Sequence, residues 1–243
     1  MNRLRETHLR ARKLARILTR KPYRDALRQG VAAGAEHERV PFSDGHRTVL
    51  DVGAASGQFS LFATGRWPSA RVVCFEPLER PRSQLVAVLG DRVEVHATAL
   101  GESAGTEVMN VATADDSSSL RPIGERQHEL FGTERAEAVD VPVARLDDLV
   151  GEIERPCLLK IDVQGFELEV LRGAHATLAA VDEAYVECSF EELYAGQALA
   201  SEIISELGRH GLSLAGVFNI TPGPDRTQVQ GDFLFRRRPT TAR

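Results

Sequence analysis

The chain has 243 residues, 42% of them apolar and 27% charged, which suits one large domain with a buried core and excludes global disorder. Its net charge of −5 argues against a dedicated nucleic-acid binder. No run of about 18 apolar residues is present, so no membrane span is expected.

Residues 1–44 read as an extension. Residues 1–28 carry ten Lys or Arg against Glu6 and Asp25, about +8, which leaves about −13 for the rest. Leu4, Leu9, Leu14, Ile17 and Leu18 fall loosely at helical spacing, and Pro22 restarts or kinks the helix. The plain expectation is a solvated helix packing one stripe on the domain. An oligomer contact (a homo-oligomer), a substrate lid or contact with an acidic partner are the alternatives. Residues 30–44 read as a loop or short helix.

From Thr48 the pattern alternates. Residues 48–52 form an apolar β-run that breaks into the turn Gly53-Ala-Ala-Ser-Gly57, and residues 58–63 resume as a helix. The turn removes a Cβ at Gly53 and Gly57, where the chain bends or nears a ligand. A second strand, 71–75, ends at Glu76-Pro77, and Trp67 before it reads as packing. A helix over 81–89 and a third strand over 93–96 follow. Residues 107–111 look like a strand, and 113–137 show no period. Residues 138–143 are strand-like, with Pro142 suggesting an edge, and 145–151 suggest a short helix. Core strands follow at 157–161 and 184–188, with a helix from 167 to 180 between them. Residues 198–210 form an amphipathic helix with Ile203, Ile204 and Leu207 on its apolar face. Two closing strands, 214–218 and 232–235, flank the turn-rich segment 221–225 and suggest an antiparallel pair. Strands separated by helices predict a mostly parallel sheet, in a domain over 45–238 with a tail at 239–243.

Cys74, Cys157 and Cys188 lie far apart inside apolar runs and read as buried free thiols. That pattern, with no apolar secretory leader at the N-terminus, points to the reducing cytoplasm. No cluster with metal-ligand spacing is present, so no metal is expected.

The glycine turn alone is a weak signal. A dinucleotide fold needs G-x-G-x-x-G, and here Gly53 and Gly57 stand four apart, so the loop does not offer a pyrophosphate cradle. A sulfonium nucleoside such as S-adenosylmethionine has no phosphate and needs only close backbone approach and polar anchors. Glu76 ends the next strand, 19 residues past Gly57, where an acid can take both ribose hydroxyls. Asp162 ends a core strand at the same edge. It can orient a substrate hydroxyl, deprotonate it, hold a metal or cap the following helix. Lys160 is read as turned to the opposite face by strand alternation, away from the site. A substrate hydroxyl that reacts as a nucleophile calls for a proton acceptor. Asp162 is the first candidate and Glu187 the second, since both end adjacent strands; His96 and His128 are weaker. Glu191, Glu192 and Tyr194 are candidates for a substrate mouth. A nucleotide-cofactor oxidoreductase or a non-catalytic binding protein on the same fold remain alternatives.

Several stretches together resemble the FkbM family of methyltransferases. They are Val49-Leu-Asp-Val-Gly-Ala-Ala-Ser-Gly-Gln-Phe-Ser60, Phe75-Glu-Pro77, Ala99-Leu-Gly101, Ser117-Ser-Ser-Leu120, Val143-Ala-Arg-Leu-Asp-Asp148, the run 159–173 and Gly231-Asp-Phe-Leu-Phe235. Ala55 stands where the family pattern usually has Asn. The resemblance implies an α/β class I methyltransferase Rossmann-like sandwich with a seven-stranded sheet of order 3-2-1-4-5-7-6, its last strand antiparallel. It implies S-adenosylmethionine as cofactor and O-methylation of a small-molecule hydroxyl on a sugar, polyketide or related natural product. Implied cofactor contacts on the first turn are Asp51, Gly53, Ala54, Ala55, Gly57 and Phe59. Glu76 and Pro77 follow, then Ala97 and Ala99 near the adenine, Ser118 as a cover, and Asp162. Neither a membrane nor a nucleic acid is an expected partner.

Overall fold

The computed structural model describes residues 20–113, 116–224 and 226–238. Leu4, Leu9, Leu14, Ile17, Leu18 and the tail at 239–243 lie outside the described residues. Of the basic extension, helix α1 (Lys21–Arg28) carries Pro22 in its first turn, where a missing N–H costs nothing. Its Tyr23 and Ala26 are buried.

The apolar runs become strands β1 (Thr48–Val52), β2 (Arg71–Phe75), β3 (Glu94–His96), β4 (Ala99–Leu100), β5 (Gly105–Ala112), β6 (Arg135–Ala144), β7 (Cys157–Ile161), β8 (Glu183–Ser189), β9 (Leu212–Pro222) and β10 (Gln228–Arg237). Helices α2 (Gln58–Arg66), α3 (Glu79–Leu89), α4 (Glu125–Phe131), α5 (Leu146–Leu149), α6 (Glu167–Arg172) and α7 (Ala200–Arg209) lie between them. Seven strands form one sheet, β3-β2-β1-β7-β8-β10-β9. In order of main-sheet strands this is 3-2-1-4-5-7-6, as the resemblance implies. β1, β2, β3, β7 and β8 run parallel, and β10 runs antiparallel to both β8 and β9.

Alternation splits the strands between two cores. On one face Leu50, Val73, Leu159, Val186 and Phe233 pack with α6 and α7. On the other, Val49, Cys74, Leu158, Tyr185 and Leu234 pack with α2, α3 and the segment after α1. That segment is pinned to β8 by Glu183. The Ser43 N–H and hydroxyl, His46 and Arg236 all converge on its carboxylate. Trp67 packs among Phe42, Phe62 and His46, as expected.

Five details differ from the sequence reading. Pro142 is on the central strand of a small sheet, β4-β6-β5, rather than on an edge. β4 pairs only with Val143 and Ala144, so Pro142 sits just outside that ladder, where its missing N–H is not called on. The helix expected to run from 167 to 180 stops at Arg172. A Cβ on Gly173 would lie 1.9 Å from the Gly101 carbonyl oxygen, and this close approach ends the helix against β4. The patternless segment 113–137 contains α4 and the start of β6. Ile204 is exposed rather than part of the apolar face of α7. β9 continues through Pro222, so the turn between the closing strands starts at Gly223, whose N–H bonds the Thr227 carbonyl. Among the described residues no helix is long and apolar enough to cross a membrane.

Candidate active site

Register builds the site. Val52 pairs with Phe75 on one side and Ile161 on the other, and Ile161 pairs with Val186. The residues that follow, Gly53, Glu76, Asp162 and Glu187, therefore occupy the next row along the carboxyl edge. Asp232 of β10 pairs with Glu187 and extends the row. Strand ends at this edge are where open α/β sheets bind ligands. A cavity of about 460 Å³ opens along it.

One end of the cavity is the glycine turn and Glu76. Gly53, Ala54 and Ala55 line it, with Phe59, Pro77 and Leu78 beside them. Both Glu76 oxygens are held by backbone: Ala55 N–H donates at 2.9 Å and Leu78 N–H at 2.8 Å. Burial raises the Glu76 pKa against the pull of these two donors. A carboxylate with two fixed donors keeps further lone pairs for ligand hydroxyls. Thr98, Ala99, Leu100 and Met109 add a mainly apolar wall, and Ser118 lines the cavity from the segment after β5.

The other end is acidic. Gln164 bridges two carboxylates, its Nε2 donating to Asp162 Oδ1 at 2.7 Å and to Glu187 Oε2 at 2.9 Å. Gln230 Nε2 donates to the second Glu187 oxygen at 2.9 Å. Burial, and then repulsion by Asp162 and Asp232, push the Glu187 carboxyl well above the ordinary range. Asp232 rises to about 6, chiefly through burial, although Tyr185 (2.6 Å) and Asn219 (2.8 Å) donate to it. The loop 162–165 is held by Glu167, whose Oε1 accepts the N–H of Val163 and Gly165. Burial lifts that carboxyl to about 7.

Lys160 belongs to this site, contrary to the sequence expectation. Residues two apart on a strand share a face, so Lys160 and Asp162 point the same way. Lys160 lines the cavity, its Nζ 3.1 Å from Asp51 Oδ1, 3.8 Å from Asp162 Oδ2 and donating to the Gly53 carbonyl at 2.8 Å. Burial lowers its pKa, but the Asp51 and Asp162 charges outweigh burial and raise it.

Three expected cofactor contacts do not line the cavity. Asp51 is fully buried beneath the turn, where it pairs with Lys160 and accepts the Ser60 hydroxyl at 2.6 Å. Gly57 begins α2 at φ +90°, and a Cβ there would meet Leu85 and Leu89 of α3, so its smallness serves packing. Ala97 is exposed outside the lining. Even Gly53 is small for the protein's sake: a Cβ would sit 1.9 Å from the Asp162 carbonyl oxygen. Of the weaker base candidates, His96 stacks on Phe75 and contacts Glu94, while His128 contacts the Thr133 carbonyl; neither lines the cavity. Glu191 pairs with Arg126 and Glu192 accepts the Gly196 N–H, both away from the lining. Tyr194 is buried behind Gln164, donating to its Oε1 at 2.9 Å.

Gln164, Asn219 and Asp232 escape a sequence reading. Gln164 and Asp232 lie inside stretches that carry the family resemblance, but their roles depend on a left-handed backbone (φ +56° at Gln164) and on long-range register.

The chain is similar to known methyltransferases. The model of the methyltransferase FkbM domain matches residues 51–214. AMB antimetabolite synthetase AmbE of Pseudomonas aeruginosa is 35% identical over 69% of the chain, which spans 10% of that protein. The 2-O-methyltransferase NoeI of Sinorhizobium fredii is 29% identical, with 77% of this chain and 78% of that protein covered. The 31-O-demethyl-FK506 methyltransferase FkbM of Streptomyces tacrolimicus is 30% identical, with 68% and 72% covered. Among solved structures, methyltransferase FkbM from Methylobacillus flagellatus KT superposes with a TM-score of 0.50 at 18% identity, covering 83% of this chain and 46% of that one. That last likeness speaks to the fold alone.

Proposed function

The chain belongs to the FkbM family of methyltransferases, and from that premise we propose that it methylates a hydroxyl of a small-molecule acceptor using S-adenosylmethionine. The observation that carries the reading is the row Glu76, Gly53, Asp162, Glu187 and Asp232 along one cavity. Glu76 would hold the ribose hydroxyls on the lone pairs its two backbone donors leave over. Leu78, Ala99, Leu100 and Met109 form the apolar wall suited to a purine. The acidic end suits a cation, because Asp162, Glu187 and Asp232 face it, and Lys160, the Lys or Arg lining the cavity among the described residues, is already paired with Asp51. When bound, the cofactor supplies a methyl carbon already activated by its sulfonium.

The protein's own work is alignment and proton uptake. Alignment is worth roughly 7–11 kcal/mol of barrier, whereas a general base adds about 10²–10⁴-fold. With the cofactor bound, Asp162 and Glu187 would orient the acceptor hydroxyl and take up the proton it loses on methylation. One Gln164 amide holds both carboxylates, which fixes their positions relative to each other. Asp162 is the half-exposed member facing the cavity. Glu187 is the one whose proton affinity burial has raised.

Calorimetric titration tests the reading. S-adenosylhomocysteine should bind and NAD should not, and Glu76→Gln should weaken the former about 10–100-fold. NAD binding in place of S-adenosylhomocysteine would refute it. With binding established, a mass gain of one methyl on a hydroxylated acceptor panel completes the test.

A further inference from the structure

Strand β9 ends the main sheet and carries no charged residue. Its register against β10 slips beside the cavity. Phe218 pairs with Asp232 and Thr221 with Gln230, so three steps on β9 match two on β10. The extra residue falls at Asn219 and Ile220, and Asn219 is left-handed at φ +46°. A bulge of this kind re-aims a side chain. Phe218 packs on the face of Tyr185 and Leu234, so plain alternation would send Asn219 to the other face. The bulge brings it back, and Asn219 lines the cavity together with Asp232.

The Asn219 amide uses both of its hydrogens there. Nδ2 donates to Asp232 Oδ2 at 2.8 Å and to the Tyr185 hydroxyl at 3.2 Å. The partners fix this orientation. Tyr185 gives its one proton to Asp232 at 2.6 Å, so both atoms facing Asn219 are acceptors and only the nitrogen serves them. By the same count His37 Nδ1, 3.2 Å from the Tyr185 oxygen, carries a hydrogen. One Asp232 oxygen therefore accepts two donors, and the other takes no hydrogen bond among the described residues. A bulge also blunts an exposed edge strand, but glycine adopts a left-handed φ with less strain. What asparagine adds at 219 is the amide.

We propose that Asn219 is a positioning residue of the methyl-transfer site: it holds Asp232 as a fixed negative charge on the cavity, and that charge lets the cavity tell a cationic ligand from its neutral counterpart. The inference rests on the methyl-transfer reading, in which S-adenosylmethionine carries the positive sulfur and S-adenosylhomocysteine the neutral one. The two ligands share every other charged group, so the ratio of their affinities isolates the charge at sulfur. The groups around Asp232 are Glu187 and Tyr185 on β8, Asp162 and Lys160 on β7, and Glu36 and His37 on the segment after α1. Burial lifts the Asp232 carboxyl to about 6, and the Tyr185 and Asn219 donors pull it the other way.

The test titrates the whole chain calorimetrically with S-adenosylmethionine and with S-adenosylhomocysteine between about pH 5 and 8. In the wild type the affinity ratio moves about three- to tenfold towards S-adenosylmethionine as pH rises through about 6. Asn219→Gly keeps the left-handed backbone and removes the amide, so the rise moves upward by about half a pH unit or more. A merely structural Asn219 would change stability and leave that midpoint in place. In Asp232→Asn the rise shrinks, and adding Asn219→Gly to it moves nothing further. If the wild-type ratio is flat with pH, if Asn219→Gly leaves the midpoint unmoved, or if it still moves it in the Asp232→Asn background, the inference is overturned while the methyl-transfer reading stands. If neither ligand binds at any pH, the methyl-transfer reading falls first and this inference with it.

Discussion

Gly53 is the position where the smallest change should do the most damage. Its φ is +73°, and an alanine there holds a left-handed backbone at a cost of about 1–2 kcal/mol. The added Cβ would lie 1.9 Å from the Asp162 carbonyl oxygen and 2.9 Å from its carbonyl carbon. A carbon–oxygen contact normally closes to about 3.3 Å, so one loop must retreat by more than 1 Å. Both partners are backbone, so no rotamer change relieves the clash, and overpacking of this kind costs about 1–3 kcal/mol. The retreat also stretches the bond from the Asp162 N–H to the Val52 carbonyl (3.1 Å), which ties β7 to β1 and is worth about 1 kcal/mol.

Together these give a loss of about 3–6 kcal/mol for Gly53→Ala. Gly57→Ala is the matched control. It has the same left-handed requirement, but its Cβ meets only side-chain carbons of Leu85 and Leu89, at 3.1 and 3.2 Å. Its expected loss is about 1–3 kcal/mol. Urea unfolding of both variants, followed by far-ultraviolet circular dichroism, measures the difference. A Gly53→Ala loss below about 1 kcal/mol, or equal losses for the two variants, would refute the argument that a backbone-to-backbone approach sets this glycine.

Three further outcomes are expected. Lys160→Met leaves the fully buried Asp51 without its cation and should cost about 3–5 kcal/mol in urea unfolding, most of it recovered in Asp51→Asn/Lys160→Met; a double variant no better than the single one would argue against the pair. Glu183 is held down from 4.5 to about 2, because His46, Arg236 and Ser43 outweigh the burial that would raise it. A lowered carboxyl stabilises above its unfolded pKa and loses that contribution as pH falls towards its folded one, here roughly 3 kcal/mol between pH 4.5 and 2. Glu183→Gln should therefore lower the melting temperature at pH 7 and cost progressively less towards pH 3. The raised Glu187 and the Asp232 carboxyl at about 6 place the acid limb of kcat/KM near or above pH 6. Asp232→Asn removes one negative neighbour of Glu187 and should move that limb to lower pH; an unmoved limb would detach Glu187 from proton uptake.

The parts of the site legible in the sequence are those set by where an apolar run stops. Gly53, Glu76, Asp162 and Glu187 each follow or close a β-run, and parallel strands in register bring such ends together without further information. Lys160 shows how finely that logic must be applied. Strand alternation has period two, and the pairing of Lys160 with Asp51 follows from the same register that aligns Asp162 with Gly53. Asp232 could not be placed this way, because its antiparallel pairing with Glu187 depends on how far the β9–β10 turn reaches. Helix α4 was illegible for a different reason. It is only seven residues long, so no period develops. The glycines were legible as turns but not as to purpose. Both Gly53 and Gly57 make room for other parts of the chain, which only the packed structure reveals.

The row of carboxylates carries a cost that the fold does not relieve by itself. Glu76, Glu187 and Asp232 are all shifted upward, and Lys160, the cation lining this cavity, is committed to Asp51. Such an edge is a poor place for an anion and a good one for a cation, and the neutral walls around Leu78 and Met109 do not change that balance. On the proposed reading the same charges also time the proton. Asp162 and Glu187 would face the cationic cofactor before transfer and its neutral product after it. Loss of that charge would favour proton uptake at Glu187 in the same step in which the acceptor must give up its hydroxyl proton. An isolated base of ordinary pKa would gain less from that loss of charge, because solvent would screen it. On that reading burial of Glu187 belongs to the chemistry, and the Gln164 bridge ties the half-exposed Asp162 to it.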